Sequence, residues 1–377
     1  MRLPLLEIPA AAAKPAIESH FDTGPRSISA VRVLRISITD RCNFRCLYCM
    51  PEEGVRWLPK ENILSFEEIS DVVKAAVDLH GIRRFKLTGG EPTVRHGLVD
   101  LVKLLRRVQG IEDLSLTTNG MLMNELARPL KDAGLDRVTI SLDSLRPDRF
   151  RRITRTGELS TVLRGLDECE AAGLGSLKVN CVTMRGTNDD EFADFARLTL
   201  DRKLTVRFIE YMPLGDTALM HTVGSSKKVA DEEIGPAGGC GAQDRGEDAF
   251  ISETEVRDRI EADLGPLVPV DRESESGVGP AIPYRLALGN PVGRIGFISA
   301  MSAPFCATCN RLRLTANGVL RSCLFEGGEV EIRDLLRRLP DPVQRRSALA
   351  HAMSECVRLK PDVHTMHGNQ QMSRIGG

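Results

Sequence analysis

Short apolar runs alternate with stretches of helical periodicity between residues 33 and 213. The runs span residues 33–39, 84–88, 114–117, 137–142, 177–182 and 206–211. They are rich in β-branched or apolar side chains and end in polar or glycine-containing turns, as β-strands do. The alternation predicts six β-α units in series, and therefore a parallel sheet with right-handed crossovers.

Two of the intervening helices have a recognisable start. Ser65 and Glu68 form a predicted capping box ahead of apolar residues at helical spacing, and Asn188 and Glu191 are expected to open the last helix in the same way. Such units place ligands at the carboxyl ends of the strands, in barrels and in open α/β sheets alike. The polar residues that we expect at one shared mouth are 40–41, 89–92, 117–120, 141–144, 180 and 210–213.

The remainder of the chain divides into three further parts. Residues 1–30 are expected to form a flexible N-terminal extension ahead of the α/β unit at 31–214, and residues 215–250 a Gly-rich, polar insertion loop. The C-terminal region, 251–377, begins with a predicted helix near 252–264 and a strand at 293–298. Asn317-Gly318 between the runs 312–314 and 319–324 indicates a β-hairpin.

Composition excludes several classes of protein. Of the 377 residues, 42% are hydrophobic and 27% charged, which rules out a collagen, a wholly disordered chain and a small disulfide scaffold. No window approaches 18 apolar residues, so we expect no membrane span. The formal charge is −1, so no overall field attracts nucleic acid, and an anionic ligand must be held by locally grouped Arg and Lys. Glu7 and Pro9 interrupt the apolar N-terminus, so we expect a cytoplasmic protein.

Six of the ten cysteines fall into two groups, and a cytoplasmic chain with clustered thiols favours metal binding. The first group, Cys42, Cys46 and Cys49, has the spacing x3 and x2. A structural zinc ion is coordinated by four protein ligands, whereas three thiolates can bind a [4Fe–4S] cluster with one iron left open. Structural zinc and isolated thiols remain the alternatives. The scattered cysteines are expected to be structural or incidental: 169, 181, 240 and 356.

The sequence of the loop from Cys42 to Pro51 resembles the cluster loop of radical S-adenosylmethionine (SAM) enzymes. In that superfamily the open iron chelates the methionyl amine and carboxylate, and electron transfer yields a 5′-deoxyadenosyl radical. Gly89-Gly90-Glu91-Pro92 resembles the glycine-rich element beneath the methionine amine. The resemblance implies an incomplete (β/α)6 TIM-type barrel.

A second group of cysteines, Cys306, Cys309 and Cys323, indicates which family of radical SAM enzymes the sequence resembles. Together with the segments 35–42 and 310–315 and the terminal Gly pair, it is similar to the GTP 3′,8-cyclases of molybdenum cofactor biosynthesis over about residues 22–377. The resemblance implies a second [4Fe–4S] cluster in a C-terminal α+β region, its open iron meeting the guanine. A zinc ribbon is the alternative on spacing, but a fourth ligand is again missing.

That resemblance also implies the roles of individual residues. The expected SAM contacts are Tyr48, Gly90, Ser141 and Met212. The expected GTP contacts are Arg35, Lys86, Thr117, Lys178, Arg311, Leu312 and Arg313. The tail Gly376-Gly377 is expected to reach the active site. Lys86 stands where the family commonly has Arg, which keeps the charge but loses the bidentate fork. Physical chemistry supports the cations, because a buried triphosphate of about four negative charges needs several paired positive groups.

The implied reaction is the cyclisation of GTP to 3′,8-cyclo-7,8-dihydro-GTP. Its implied partners are a cyclic pyranopterin monophosphate synthase that takes the product and an electron donor such as a flavodoxin or ferredoxin, with a homodimer possible. Two other functions compete: a radical SAM peptide-modifying enzyme with an auxiliary cluster, and a non-catalytic iron–sulfur or zinc protein. An electron carrier would close each cluster with a fourth Cys, which both groups lack.

Overall fold

Six parallel strands from the first half of the chain build the centre of the sheet. The computed structural model describes residues 24–214, 249–272, 279–325, 327–364 and 375. The strands are β1 (Val33–Ser37), β2 (Arg84–Thr88), β3 (Asp113–Thr118), β4 (Arg137–Ser141), β5 (Leu177–Thr183) and β6 (Leu204–Glu210). Each pairs in parallel with the next. The six predicted β-α units are confirmed, with strand ends shifted by at most two residues.

Helices connect these strands on the apolar face of the sheet. They are α1 (Phe66–His80), α2 (Leu98–Arg106), α3 (Met123–Asp132), α4 (Pro147–Thr154), α5 (Leu159–Ala171) and α6 (Phe192–Asp201). The capping box of Ser65 and Glu68 is confirmed at the start of α1. The capping box predicted for Asn188 and Glu191 is wrong, because α6 begins at Phe192 without a side-chain cap. The Asn188 amide instead donates to the carbonyls of Asp143 and Val182.

Residues beyond 249 extend the sheet at both edges. The further elements are α7 (Glu253–Leu264), β7 (Leu267–Pro269), β8 (Ile282–Leu286), β9 (Arg294–Ile298), β10 (Arg311–Leu314), β11 (Val319–Arg321), β12 (Glu329–Glu331), α8 (Arg333–Arg338) and α9 (Pro342–Arg358). The strand order is β12-β11-β10-β1-β2-β3-β4-β5-β6-β9-β8-β7. Because β10 and β9 lie parallel to β1 and β6, the C-terminal region flanks the six-stranded unit at both edges of the sheet.

The inner face of the sheet is polar, and the sheet curves around it. On β1, Leu34 and Ile36 are fully buried in the apolar core, whereas Arg35 alternates with them and lies in register with Lys86 of β2 and Arg313 of β10. Side chains from β2 and β6 meet on this face. In a flat sheet those two strands would lie about 19 Å apart, at roughly 4.8 Å per strand, so the sheet must bend into a partial barrel.

The N-terminal boundary is earlier than predicted. Residues 24–30, assigned to a flexible extension, include the 3-10 turn Ile28–Ala30, and Ile28 packs on the core. Arg26 donates to the Lys360 carbonyl at 2.8 Å and pairs with Asp362. Residues 1–23 lie outside the described residues, as does nearly all of the 215–250 segment. Among the helices that are described, none has the length and apolarity needed to cross a membrane.

Candidate active site

A cavity of about 340 Å³ occupies the inside of the partial barrel. Its wall is formed by side chains from β1 to β6 and β10 and by the loops that follow several of these strands. Both groups of cysteines face it: Cys42, Cys46, Cys49, Cys306, Cys309 and Cys323. One cavity therefore joins the two candidate cluster sites, although Cys49 and Cys306 are 257 positions apart in sequence.

The first cysteine loop is held by main-chain bonds to the end of α4. The amides of Arg45 and Leu47 donate to the carbonyls of Thr154 and Ile153, both at 3.0 Å. Burial raises the pKa of the Cys46 thiol, and the neighbouring charges of Asp143, Cys49 and Cys42 raise it further. The three thiols are thus close enough to influence one another.

The second group lies on a short turn and a hairpin. Cys306 and Cys309 bracket the 3-10 turn Cys306–Thr308, and Cys323 follows β11. Burial raises the pKa of the Cys306 thiol, and the charges of Cys323 and Cys309 act in the same direction. The predicted hairpin is confirmed, with Gly318 at φ 81° in its turn and β10 antiparallel to β11.

These donor sets fit iron–sulfur clusters. Within the described ranges, no three His, Cys, Asp or Glu side chains are grouped as ligands of a single metal ion. Each site offers three thiols, the donors that iron–sulfur clusters use. Burial raises the pKa of Cys42 to about 11, so the thiolate needs a bound cation to persist at neutral pH.

All four expected SAM contacts lie in the cavity wall: Tyr48, Gly90, Ser141 and Met212. The Tyr48 hydroxyl donates to Asp143 Oδ2 at 2.7 Å, and the Val182 amide donates to Asp143 Oδ1 at 2.9 Å. Burial raises the pKa of the Asp143 carboxyl to about 6. Asp143 therefore connects the first cysteine loop to β4 and β5.

The glycine-rich turn after β2 needs glycine because two backbones meet there. The Gly90 amide donates to the Thr39 carbonyl at 2.7 Å, and a Cβ on Gly90 would overlap the carbonyls of Arg41 and Asp40. The buried Glu91 carboxylate accepts from the Thr118 hydroxyl and the Asn119 amide, each at 2.6 Å. This turn thus fixes the strand end immediately before Cys42.

The cavity lining also contains a group of cationic side chains, which we call the cation wall. It comprises Arg35, Lys86, Lys178, Arg207, Arg311 and Arg313, all in the cavity lining. Burial lowers the pKa of Arg35, and Arg313, Arg311 and Arg207 lower it further. Burial followed by the charge of Arg311 lowers the pKa of Arg313 to about 9. Mutual repulsion of this kind marks a site built to receive a polyanion.

Two buried oxygens in the wall also point to a polar ligand. Thr117 Oγ1 and Asn180 Oδ1 have no hydrogen-bond partner among the described residues. A buried polar atom without a partner costs free energy, about 1–3 kcal/mol, which a bound ligand recovers. The lining therefore fits both SAM and a nucleotide in the same cavity.

Not every expected contact has its side chain in the cavity. Leu312 alternates with Arg311 and Arg313 on β10, and its side chain is fully buried in the apolar core on the opposite face. A side-chain role for Leu312 in substrate binding is therefore wrong, and a contact could come only from its main chain. Gly376 and Gly377 lie outside the described residues, so their role remains a prediction.

The structure adds residues that sequence reasoning missed. Arg207 joins the cation wall from β6. The sequence feature that could have identified it is a charged residue inside an otherwise apolar strand. At the amino ends of β3 and β4, Arg137 donates from Nε to Asp113 Oδ1 at 2.6 Å, and both line the cavity. Phe325 and His364 stack beside the second cysteine group, with their ring centroids 4.0 Å apart. No local sequence pattern predicts this contact, because the two residues are distant in the chain.

Family comparisons define the class of protein. Residues 36–199 match the family model described as the radical SAM superfamily, and residues 232–366 match Molybdenum Cofactor Synthesis C. Among solved structures, Streptococcus suis SuiB bound to precursor peptide SuiA aligns with a TM-score of 0.49 and 13% identity, over 84% of this chain and 63% of that chain. The sequence matches and the first cysteine loop define a radical SAM enzyme.

Curated relatives give the particular family. A GTP 3′,8-cyclase of Pelotomaculum thermopropionicum is 46% identical over 94% of this chain and 99% of its own length. One from Alkaliphilus oremlandii is 41% identical over 92% of this chain and 98% of its own. The chain belongs to the GTP 3′,8-cyclase family. Its cofactors are two [4Fe–4S] clusters and SAM.

Proposed function

We propose that this chain converts GTP to 3′,8-cyclo-7,8-dihydro-GTP, the first step of molybdenum cofactor biosynthesis. The observation that carries the proposal is a single cavity with two three-cysteine sites and the cation wall, in which Lys178, Arg207 and Arg313 are buried. With the first cysteine site taken by SAM, a substrate that fits the second site and the cation wall must combine a group for an open iron with several negative charges. A purine nucleoside triphosphate does so, because its base and its phosphates lie at opposite ends of the ribose.

The cation wall binds and orients the triphosphate. Arg35, Lys86 and Arg313 lie side by side in the register of β1, β2 and β10, so they offer a continuous row of donors. Arg311, on the same face as Arg313, lies two residues after Cys309 and before Cys323 of the second cysteine group. Charge-assisted hydrogen bonds of this kind fix the substrate's orientation and hold the guanine toward Cys306, Cys309 and Cys323.

The first cysteine loop holds the cluster that cleaves SAM. Cys42, Cys46 and Cys49 would hold a cluster that, together with SAM, would supply hydrogen-atom abstraction from the ribose 3′ carbon of GTP. Closure of the bond from C3′ to guanine C8 would then take up one electron from the donor and one proton to give the 7,8-dihydro product. Tyr48, Gly90, Ser141 and Met212 contact SAM, and the apolar packing of the loop excludes water and competing hydrogen donors.

The wider setting follows from this chemistry. The chain takes electrons from a low-potential donor such as a flavodoxin or ferredoxin, and its product passes to a cyclic pyranopterin monophosphate synthase. The protein works in the cytoplasm and forms a homodimer. Residues 31–214 act as the radical SAM unit, 215–250 as an insertion and 251–377 as the substrate-cluster region that ends in Gly376-Gly377.

Product analysis tests the proposal. Anaerobically reconstituted protein, incubated with SAM, dithionite and GTP, should consume GTP and release the cyclised triphosphate together with 5′-deoxyadenosine. Replacement of Cys306, Cys309 and Cys323 by Ala should abolish cyclisation, remove about four of about eight irons and leave the first cluster. Cys169→Ala, at a buried cysteine outside the cavity lining, is the matched control. If 5′-deoxyadenosine forms while GTP is recovered unchanged, the radical chemistry stands and the substrate is another molecule.

A further inference from the structure

Thr139 lies behind the cation wall, at the midpoint of β4. Its side-chain oxygen accepts a hydrogen bond from Lys86 Nζ at 3.1 Å and another from Arg207 Nη2 at 3.4 Å. Thr139 is buried and is not among the residues that line the cavity, whereas both of its donors are. It therefore touches the cations without touching the space that a ligand would fill.

The position of β4 explains how one hydroxyl reaches both cations. Lys86 lies on β2 and Arg207 on β6, each two strands from β4 in the order of the sheet. The curvature of the sheet turns both side chains inward over Thr139. The two cations are close enough to repel each other, and the charge of Arg207 contributes, after burial, to the lowered pKa of Lys86.

A threonine hydroxyl suits this junction better than either a carboxylate or an apolar group. It offers two acceptor lone pairs, one for each donor, and carries no charge. A carboxylate would pair with both cations and reduce their attraction for an anion. An apolar side chain of the same shape would leave two neighbouring cations, Arg207 buried and Lys86 half-buried, repelling each other with one acceptor fewer.

We propose that Thr139 is a positioning residue, which sets the spacing of Lys86 and Arg207 so that both meet the phosphates of the substrate. The inference rests on the proposed binding of GTP in this cavity. Thr139 makes no contact with substrate, so its influence is confined to the end of the nucleotide that the two cations hold. Binding of the guanine and ribose should be insensitive to it.

The test compares nucleotides that differ only in phosphate number. Thr139→Val keeps the shape and removes the hydroxyl, and Thr139→Ser restores it. Dissociation constants for GTP and GMP are measured with the reconstituted holoenzyme. For Thr139→Val we expect about a tenfold weaker affinity for GTP and less than a twofold change for GMP, because GMP lacks the β- and γ-phosphates. Thr139→Ser should bind GTP within about twofold of the unmodified enzyme.

Two controls separate this role from a general loss of stability. Thr199→Val removes another buried hydroxyl, which bonds the Ala196 carbonyl on α6 away from the cavity, and should leave both affinities unchanged. Cleavage of SAM without GTP should proceed at an unchanged rate in Thr139→Val. Equal weakening of GTP and GMP, or unchanged GTP binding, would overturn the inference. An unmodified enzyme that binds no GTP would instead overturn the proposed function.

Discussion

The Tyr48 hydroxyl donates to Asp143 across 2.7 Å and so joins the first cysteine loop to the segment after β4. Tyr48 lies between the second and third cysteines of that loop, and Asp143 lies two residues beyond Ser141. Asp143 also accepts the Val182 amide from β5. The position of the cluster loop is thus set by the carboxyl ends of two strands as well as by its bonds to α4.

Loss of the Tyr48–Asp143 bond should affect SAM more than GTP. Tyr48→Phe keeps the ring and removes a part-buried, charge-assisted hydrogen bond worth about 1.5–3 kcal/mol. We expect 5′-deoxyadenosine formation without GTP to fall roughly tenfold, while GTP affinity and iron content stay unchanged. Tyr284→Phe, at a tyrosine on β8 outside the cavity lining, is the control. Unaltered SAM cleavage in Tyr48→Phe would show that the bond does not position the loop.

Arg313 should separate substrate chemistry from SAM cleavage. Its guanidinium is buried in the cation wall, and removal of a buried charged partner typically costs about 2–5 kcal/mol. Arg313→Ala should therefore lower GTP turnover by about thirtyfold to several thousandfold and leave uncoupled SAM cleavage within about threefold. Arg346→Ala, at the ion pair with Asp78 on the protein surface, should change neither rate. Equal loss of both activities in Arg313→Ala would indicate a structural role.

Lys86 should make GTP binding depend on pH. Burial, followed by the charges of Arg207, Arg35, Arg137 and Lys178, lowers the pKa of Lys86 in the free protein. A bound triphosphate favours the ammonium form and raises that pKa. Binding therefore takes up a proton at pH values between the pKa of Lys86 in the free protein and its pKa in the GTP complex. Affinity should therefore fall as the pH rises through the pKa of the free protein.

Calorimetry can measure this proton directly. Titrations of GTP in two buffers of different ionisation enthalpy, between about pH 7 and pH 9.5, give the number of protons taken up. Lys86→Arg should reduce the pH dependence, because a guanidinium holds its proton more tightly than an ammonium in the same surroundings. The remaining proton uptake should come from Arg313, whose pKa burial lowers to about 9. The same pH profile in Lys86→Arg would assign the proton to another group.

Deletion of Gly376 and Gly377 should abolish cyclisation. Glycine lacks a Cβ and can approach a ligand more closely than other residues. Two terminal residues bury little apolar area, so the deletion variant should keep its fold and about eight irons. Circular dichroism, iron analysis and product assay check these three expectations. Full cyclase activity in the iron-replete truncated protein would refute a role for the tail.

The local features of the fold could be predicted from the sequence. The six central strands and the α1 cap follow from short-range periodicity and spacing. The strands β9 and β10 could not be placed, because their parallel pairing with β6 and β1 joins distant segments. Glu191 matched the sequence of a capping box, but its carboxylate instead accepts from the Leu145 amide at 2.6 Å, a contact across 46 residues.

The candidate site was predicted in the same uneven way. The spacing of the cysteines predicted both cluster sites, and the alternation of side chains along a strand predicted that Arg311 and Arg313 share one face. That same alternation puts Leu312 on the other face, a consequence that the family resemblance obscured. Arg207 was readable as a charge inside an apolar strand. Thr139 had no signal, because its role arises from two side chains that reach it from other strands.

Isotope transfer from GTP tests the central claim most directly. The reconstituted enzyme is incubated anaerobically with SAM, dithionite and GTP deuterated at the ribose 3′ carbon, and the 5′-deoxyadenosine is analysed by mass spectrometry. The account predicts 5′-deoxyadenosine one mass unit heavier, formed together with the 3′,8-cyclised triphosphate. Unlabelled 5′-deoxyadenosine with all of the GTP recovered intact would contradict it.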